Sequence, residues 1–282
     1  MNLRGLKRNW NAFGKKDPLW AILSLDEKKG NKWDVEEFFA WGRDEIDKVL
    51  ESVGALGLEV RRRQALDFGC GVGRLTQALA QRFEEAHGVD IAPSMIQLAE
   101  RYNRHGDRCR YHLNDQQDLR LFPDAWFDFI YSNITLQHME PKYSKGYIRE
   151  FVRVLAPEGV LVFQIPSELD PELQAHALVQ EALARDHPSV RTRIKPFIPK
   201  PVLDVRRWIL ARRTPVMSAH AVPRAEVVEE LEGSGGRVVD IRPDAWTPGW
   251  VAYRYFVTRT SSTQGPVMRE TRSRSGRPGN GG

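Results

Sequence analysis

The sequence predicts an α/β fold built on a parallel sheet, and two observations lead to that class. Between about residues 44 and 167, short apolar segments alternate with longer segments whose apolar residues recur at helical spacing. This alternation is typical of βαβ units, in which a helix connects two parallel strands. Residues 159–165 are apolar almost throughout, as in a strand that is buried on both faces of a sheet.

The predicted strands follow one another at intervals that leave room for helices. A glycine-rich turn follows the first strand, and Leu75, Ala78, Leu79 and Phe83 then recur at helical spacing. Pro93 suits the first turn of a helix after the second strand. The strands of this region are predicted at residues 64–68, 86–90, 110–113, 127–131 and 159–165.

The C-terminal part of the domain, residues 222–259, returns to a helix followed by two strands. The two strand segments, 238–241 and 251–257, are separated by too few residues for a helix. They therefore predict an antiparallel hairpin at the edge of the sheet.

Composition divides the chain into regions. Residues 1–42 are rich in large aromatic side chains, which either cover the core or form a lid over a ligand site, and the sequence leaves both open. Residues 43–259 are predicted to form the main domain, with a helical and basic insertion at residues 168–221 after the fifth strand. Residues 260–282 have the Gly, Ser and Arg content of a disordered basic tail.

The formal net charge of +5 does not by itself identify a partner. Part of it comes from the tail, where four arginines face one glutamate. A basic segment can contact nucleic acid or anionic lipid, but a solvated tail is the more common case. The basic residues of the insertion are open to the same two interpretations, a solvated face or a dock for an anionic substrate or carrier.

Cysteine content and hydropathy predict the compartment. The chain has two cysteines, Cys70 and Cys109, which in a protein of this length favour free thiols in a reducing environment. No apolar run approaches the ~20 residues needed to cross a bilayer. The basic N-terminus is not followed by the apolar stretch of a secretory signal. We therefore expect a cytoplasmic protein with no membrane insertion, and the sequence gives no indication of its oligomeric state.

A glycine-rich turn after the first strand carries the candidate ligand site. Residues 67–73 are Asp-Phe-Gly-Cys-Gly-Val-Gly, and glycines let the backbone approach a ligand at the start of a helix. Asp90 ends the second strand, where a carboxylate can accept hydrogen bonds from two ribose hydroxyls. Arg74 stands where a dinucleotide-binding turn has its third glycine, and Asp67 can face a cationic amino group. The pattern therefore argues against a dinucleotide.

Residues 65–76 resemble the glycine-rich motif of class I S-adenosylmethionine-dependent methyltransferases. Further segments resemble that family's ribose-binding motif, fourth strand, histidine-bearing turn and entry to strand five, in the family's order; these are residues 88–95, 122–133, 136–139 and 155–159. The resemblance spans about residues 60–166. It implies a Rossmann-like sheet of seven strands in the order 3-2-1-4-5-7-6, with strand 7 antiparallel and helices on both faces. It also implies an N-terminal helical lid, and S-adenosylmethionine as the cofactor.

The resemblance assigns roles by position. Asp67, Gly69, Cys70 and Gly71 would cradle the methionine part of the cofactor, and Asp90 would bind its ribose. Further residues would contact the adenine, its exocyclic amine or the region of the transferring methyl group. These are Ile91 for the ring, Asn114 and Asp115 (with Gln116 as the alternative to Asp115) for the amine, and Ser132 and Asn133 near the methyl group.

Two histidines are candidates for catalysis. His138 would lie near the methyl-transfer end of the sheet, where it either takes a proton from a hydroxyl nucleophile or fixes the loop. His220 follows the basic insertion and would face the substrate. Methyl transfer proceeds largely by aligning two reactants, and the sulfonium is already activated, so no metal is expected. Asp128, at the start of the fourth strand, is expected to be structural.

The sequence favours a small-molecule acceptor methylated at oxygen. Ser132-Asn133-Ile134-Thr135 replaces the Asn/Asp-Pro-Pro-aromatic turn of enzymes that methylate DNA amines, and neither cysteine follows a proline as a cytosine-C5 nucleophile would. No aromatic and basic interleaving suggests a nucleic-acid surface. Two alternatives stay open: an RNA or protein methyltransferase that docks through the basic insertion and tail, and a non-catalytic cofactor-binding partner protein.

Overall fold

A seven-stranded sheet with the strand order β3-β2-β1-β4-β5-β7-β6 forms the centre of the chain. The computed structural model describes residues 2–172, 215–245, 247 and 249–259. β7 is antiparallel to both β5 and β6, so the predicted order and orientation are confirmed. The strands are β1 Gln64–Phe68, β2 Glu85–Asp90, β3 Cys109–Leu113, β4 Phe127–Ser132, β5 Leu155–Leu169, β6 Gly236–Asp244 and β7 Trp250–Arg259.

The register of the central strands brings their carboxyl ends to one edge of the sheet. β1 lies between β2 and β4 and is parallel to both, with Asp67 opposite Gly88 on one side and Tyr131 on the other. The glycine turn after β1, Asp90 at the end of β2 and Asn133 after β4 therefore lie close together. In an open α/β sheet this edge is where ligands bind.

Helices cover both faces of the sheet and its carboxyl edge. Two of the helices begin after N-capping residues. The side chains of Asn2 and Asp34 accept the backbone N–H of Gly5 and Glu37, at 3.0 and 2.9 Å. The helices are α1 Leu3–Lys16, α2 Pro18–Ile22, α3 Val35–Ala55, α4 Arg74–Ala80, α5 Pro93–Tyr102, α6 Pro141–Val154 and α7 Arg224–Gly233. Within the described ranges, no helix combines the length and the apolar character that a membrane span requires.

The core consists of two apolar layers and an aromatic cluster. One layer packs α6 and α7 against the sheet, and the other packs α3 and α4 against its opposite face. The cluster joins α1, α2 and α3 to the start of α5 through Phe13, Trp33, Phe38 and Met95. The N-terminal aromatics thus cover the core, which is one of the two roles the sequence left open.

Some boundaries differ from the sequence predictions. β5 begins at Leu155, which pairs with Phe127 before a register shift, and Glu158 within that irregular stretch has φ of 63°. Helix α3 runs unbroken across the expected boundary between residues 42 and 43. The basic residues of the insertion and the tail at 260–282 lie outside the described residues.

Candidate functional site

The turn between β1 and α4 depends on its glycines. Gly69, Gly71 and Gly73 have φ of 80°, 53° and 83°, a region that side-chain-bearing residues rarely adopt. A Cβ at Gly69 would clash with the side chain of Thr135, and one at Gly71 would meet Ile22. The turn therefore brings backbone without side chains close to Thr135, which follows β4, and to Ile22, the last residue of α2.

Asp90 is held in a fixed orientation at the end of β2. Its Oδ2 accepts the backbone N–H of Gly71 at 3.0 Å, and its Oδ1 accepts that of Ala92 at 2.8 Å. Burial raises the pKa of the Asp90 carboxyl to about 6, although these N–H groups favour the ionised form. A carboxylate oxygen has more than one acceptor site, so the group can still bind two hydroxyls.

A cavity of about 890 Å³ opens beside the glycine turn and Asp90. The walls combine the carboxyl ends of the strands with α1 and α2 from the N-terminal region. The sequence-predicted residues in its lining are Gly69, Cys70, Gly71, Asp90, Ile91, Asn114, Asn133 and His138. Leu3, Leu6, Trp10 and Ile22 also line it, so the N-terminal helices form part of the cavity wall as well as covering the core.

Three expected ligand residues are not part of the cavity lining. Asp67 is 1% exposed and accepts the Thr76 hydroxyl at 2.7 Å, and burial raises its pKa to about 7. Ser132 is fully buried and donates to the Phe68 carbonyl at 3.0 Å. Asp115 has a 43% exposed side chain that pairs with Lys7 at 2.8 Å. Asp67 and Ser132 support the loops that carry the site, and Asp115 ties down α1.

A buried polar cluster beneath the cavity was not predicted from the sequence. Glu45 of α3 pairs with Nη2 of Arg74 at 2.8 Å and accepts the Tyr131 hydroxyl and the Asn133 amide at 2.9 and 2.7 Å. Arg74 is 3% exposed, lines the cavity, and its Nε and Nη1 have no hydrogen-bond partner among the described residues. Glu45 falls within the buried stripe of α3, and a charged residue on that stripe is the signal that could have revealed the cluster.

His138 lies in the cavity wall with a defined tautomer. Its Nδ1 is 2.7 Å from the Ser218 carbonyl, which can only accept, so Nδ1 carries the proton. Nε2 therefore carries a lone pair, which the Gln137 side-chain amide approaches at 3.4 Å. The ring is 8% exposed and packs on Trp10 with centroids 4.9 Å apart, and burial lowers its pKa. A neutral imidazole of this kind can accept a proton.

His220 lies outside the cavity lining. Its backbone N–H donates to the Gln137 carbonyl at 2.7 Å, which anchors the segment after the insertion beside His138. The same segment is tied to α1, since the amide of Asn9 donates to the Val216 carbonyl at 2.8 Å and accepts its N–H at 2.9 Å. His220 therefore holds this segment in place through its backbone, while Met217, Ser218 and Ala219 of the segment line the cavity.

Asp128 pins the loop before β1, as expected of a structural residue. It accepts the backbone N–H of Arg63 and Gln64 at 3.2 and 3.1 Å, and pairs with the Arg63 guanidinium at 3.1 Å. In the described part of the chain, no group of three or more His, Cys, Asp or Glu side chains is arranged to hold a metal ion.

Parts of this chain are similar in sequence to named methyltransferases. The malonyl-[acyl-carrier protein] O-methyltransferase of Halorhodospira halophila is 36% identical over 123 residues, 43% of this chain and 40% of that protein. The trans-aconitate 2-methyltransferase of Mycobacterium tuberculosis is 35% identical over 158 residues, 55% of this chain and 56% of that protein. The matched region thus spans about half the length of these relatives.

Solved structures show the same fold at low sequence identity. The magnesium protoporphyrin IX methyltransferase of Synechocystis PCC 6803 has a TM-score of 0.57 at 16% identity, over 90% of this chain and 98% of that chain. A methyltransferase from Clostridium acetobutylicum has a TM-score of 0.53 at 14% identity, over 86% and 98%. Residues 66–163, which hold the glycine turn, Asp90 and His138, match the family model of a methyltransferase domain. This matched part of the chain, residues 66–163, is a domain of the class I S-adenosylmethionine-dependent methyltransferase type.

Proposed function

We propose that this protein transfers the methyl group of S-adenosylmethionine to an oxygen of a small-molecule acceptor. The observation that carries the proposal is the single cavity that reaches from Asp90 and the glycine turn to His138, under the cover of α1 and α2. A site of this kind can hold two reactants side by side and exclude water, which is what an in-line transfer needs.

The residues of the cavity fit the cofactor. Asp90 offers its remaining acceptor sites to the ribose hydroxyls, and Ile91 offers an apolar surface for the adenine. Asn133 lines the cavity with an Oδ1 that has no partner among the described residues, and that oxygen suits the cofactor's ammonium group. The two unpartnered donors of Arg74 suit its carboxylate. The ribose hydroxyls, the ammonium group and the carboxylate of the cofactor would therefore each have a complementary hydrogen-bonding group in the site.

His138 is proposed to handle the proton of the acceptor. The bound cofactor supplies an electrophilic methyl group on a sulfonium. When an acceptor oxygen forms its bond to that carbon and the carbon–sulfur bond breaks, the electron pair of the broken bond stays on sulfur and the oxygen must lose any proton it carries. His138 lines the cavity, and its unprotonated Nε2, which the Gln137 amide contacts at a long 3.4 Å, can take that proton.

The names of two relatives support parts of this proposal, the oxygen in one case and the small acceptor in the other. One is named an O-methyltransferase of malonyl-acyl carrier protein and the other a methyltransferase of trans-aconitate. The alternative of RNA or protein methylation depends on basic residues that lie outside the described part of the chain. We also propose a cytoplasmic location, because Cys70 and Cys109 are both free thiols in the structure.

Labelled methyl transfer tests the proposal. The protein is incubated with methyl-labelled S-adenosylmethionine and with separate small-molecule, RNA and protein fractions of a cell extract. We expect label in the small-molecule fraction, as an ether or ester that mass spectrometry identifies. Label in the RNA or protein fraction alone would replace the acceptor we propose. Label in no fraction, by a protein that binds the cofactor, would favour the non-catalytic alternative.

A further inference from the structure

A second arginine, Arg254, also lines the cavity. Arg254 lies on β7, opposite Gln164 of β5. It lines the cavity with a side chain that is 16% exposed, and its guanidinium carbon is 5.9 Å from the centroid of the Tyr131 ring. A permanent positive charge therefore sits in the wall, on a strand that does not carry the glycine turn.

The guanidinium of Arg254 is only partly paired. Its Nη2 lies 2.8 Å from Oδ2 of Asp244, while its buried Nε has no hydrogen-bond partner among the residues that the structure describes. A buried donor without a partner is unfavourable and calls for an explanation. Carboxylates match the planar arrangement of guanidinium N–H groups, which makes a carboxylate ligand the natural complement.

A row of hydrogen-bonded polar side chains runs from beside His138 to beside Arg254. Gln137, the neighbour of His138, accepts the Thr247 hydroxyl at 2.7 Å, and Thr247 accepts the Gln164 amide at 3.0 Å. Gln164 in turn lies opposite Arg254 in the sheet. His138 and Arg254 both line the cavity, so a single small molecule that spans the lining between them can contact both.

We propose that Arg254 anchors a carboxylate of the methyl acceptor, which makes the acceptor a small organic acid with its accepting oxygen toward His138. This inference rests on the proposed function. It gives the two arginines different tasks: Arg74, at the end of the glycine turn, serves the cofactor, and Arg254 serves the acceptor. Each assignment predicts a different effect on binding, so they can be separated.

Ligand binding to the protein saturated with S-adenosylhomocysteine tests the proposal. The probes are small mono-, di- and tricarboxylic acids, each paired with its neutral amide. We expect at least one acid to bind while its amide does not, in calorimetry and as a rise in the melting temperature. Arg254→Gln should raise the dissociation constant of that acid about ten- to hundredfold, and Arg254→Lys by less. The dissociation constant of S-adenosylhomocysteine should change less than about twofold.

The controls separate the possible failures. Arg61→Gln removes an exposed arginine paired with Glu158 and should leave both ligands unaffected. Binding of S-adenosylhomocysteine without binding of any acid would overturn the role of Arg254 and leave the proposed cofactor site standing. Equal acid binding by wild type and Arg254→Gln, or a matched loss of S-adenosylhomocysteine, would also overturn it. Should Arg254→Gln not fold, the acid and amide comparison on wild type decides the question.

Discussion

The carboxylate of Asp90 accepts a hydrogen bond from the backbone N–H of Gly71 at 3.0 Å, which joins the end of β2 to the glycine turn after β1. The N–H of Ala92 binds the other oxygen, so the carboxylate is oriented before any ligand arrives. Because the group is prearranged, binding does not have to order it. The two sequence motifs of the cofactor site are thus parts of one hydrogen-bonded unit.

Replacing Gly69 by alanine should damage the site through a steric clash. Gly69 has φ of 80°, and a Cβ there would meet the side chain of Thr135. We expect Gly69→Ala to lower the free energy of unfolding by about 1–3 kcal/mol and to abolish cofactor binding. Gly57→Ala is the matched control, because Gly57 has φ of 70° but no atom lies within 4 Å of the added Cβ. It should lower the free energy of unfolding by about 1 kcal/mol and leave cofactor binding intact. Urea unfolding and calorimetry measure both, and similar effects of the two substitutions would contradict the packing argument.

The contributions of Glu45 and Arg74 to the free energy of unfolding should depend on each other. Removing one partner leaves the other charge buried, so we expect Glu45→Gln to lower the free energy of unfolding by about 3–5 kcal/mol. The double variant Glu45→Gln/Arg74→Met should lose less than the sum of the single variants. Asp44→Asn, which affects an exposed pair with Lys48, should change stability little. Additive losses in urea unfolding would show that the pair does not act as a unit.

Cofactor binding should strengthen as the pH rises through about 6. Burial raises the pKa of Asp90 from 3.8 to about 6, so below that pH the carboxyl is protonated and loses an acceptor. The same raised pKa means that Asp90 stabilises the ligand-free fold most below its ordinary pKa, and that this contribution is lost as the pH rises through about 6. Titration of S-adenosylhomocysteine from about pH 5 to about pH 8 measures the effect. Asp90→Asn should bind weakly at every pH, and a wild-type affinity that is flat over this range would contradict the prediction.

Substitution of His138 should affect turnover more than cofactor binding. We expect His138→Asn to lower kcat about 10²–10⁴-fold, because the acceptor then lacks a group to take its proton. The dissociation constant of S-adenosylhomocysteine should change less than about twofold, because His138 lies toward the acceptor end of the cavity. The wild-type kcat should rise with pH as the imidazole loses its proton, and the kcat of the variant should not show this rise. A variant with the wild-type kcat and pH profile would show that the accepting oxygen is already ionised.

Local sequence predicted the parts of the site that depend on local structure. The first strand, the glycine turn and Asp90 follow from a short apolar run, positive-φ glycines and a strand-end carboxylate, and the structure places them as expected. The C-terminal hairpin followed from the short spacing between its strands. These features need no knowledge of contacts between distant residues.

The remaining features depend on tertiary contacts or on side-chain direction. Glu45 meets Asn133 across 88 positions of sequence, a pairing that no local pattern encodes. Asp67 and Ser132 lie within strands whose side chains alternate between faces, and theirs turn into the core. The sequence predicted both residues near the ligand because they lie close to the motifs. In the structure their side chains point away from the cavity and do not line it.

Calorimetric titration of S-adenosylmethionine and, separately, of NADH tests the central claim most directly. It is made on wild type, on Asp90→Ala and on Asp107→Ala, which alters an exposed carboxylate as a control. We predict micromolar binding of S-adenosylmethionine by wild type and Asp107→Ala, a loss in Asp90→Ala, and no binding of NADH. Failure of folded wild type to bind S-adenosylmethionine, or equal binding by Asp90→Ala, would contradict the cofactor site described here.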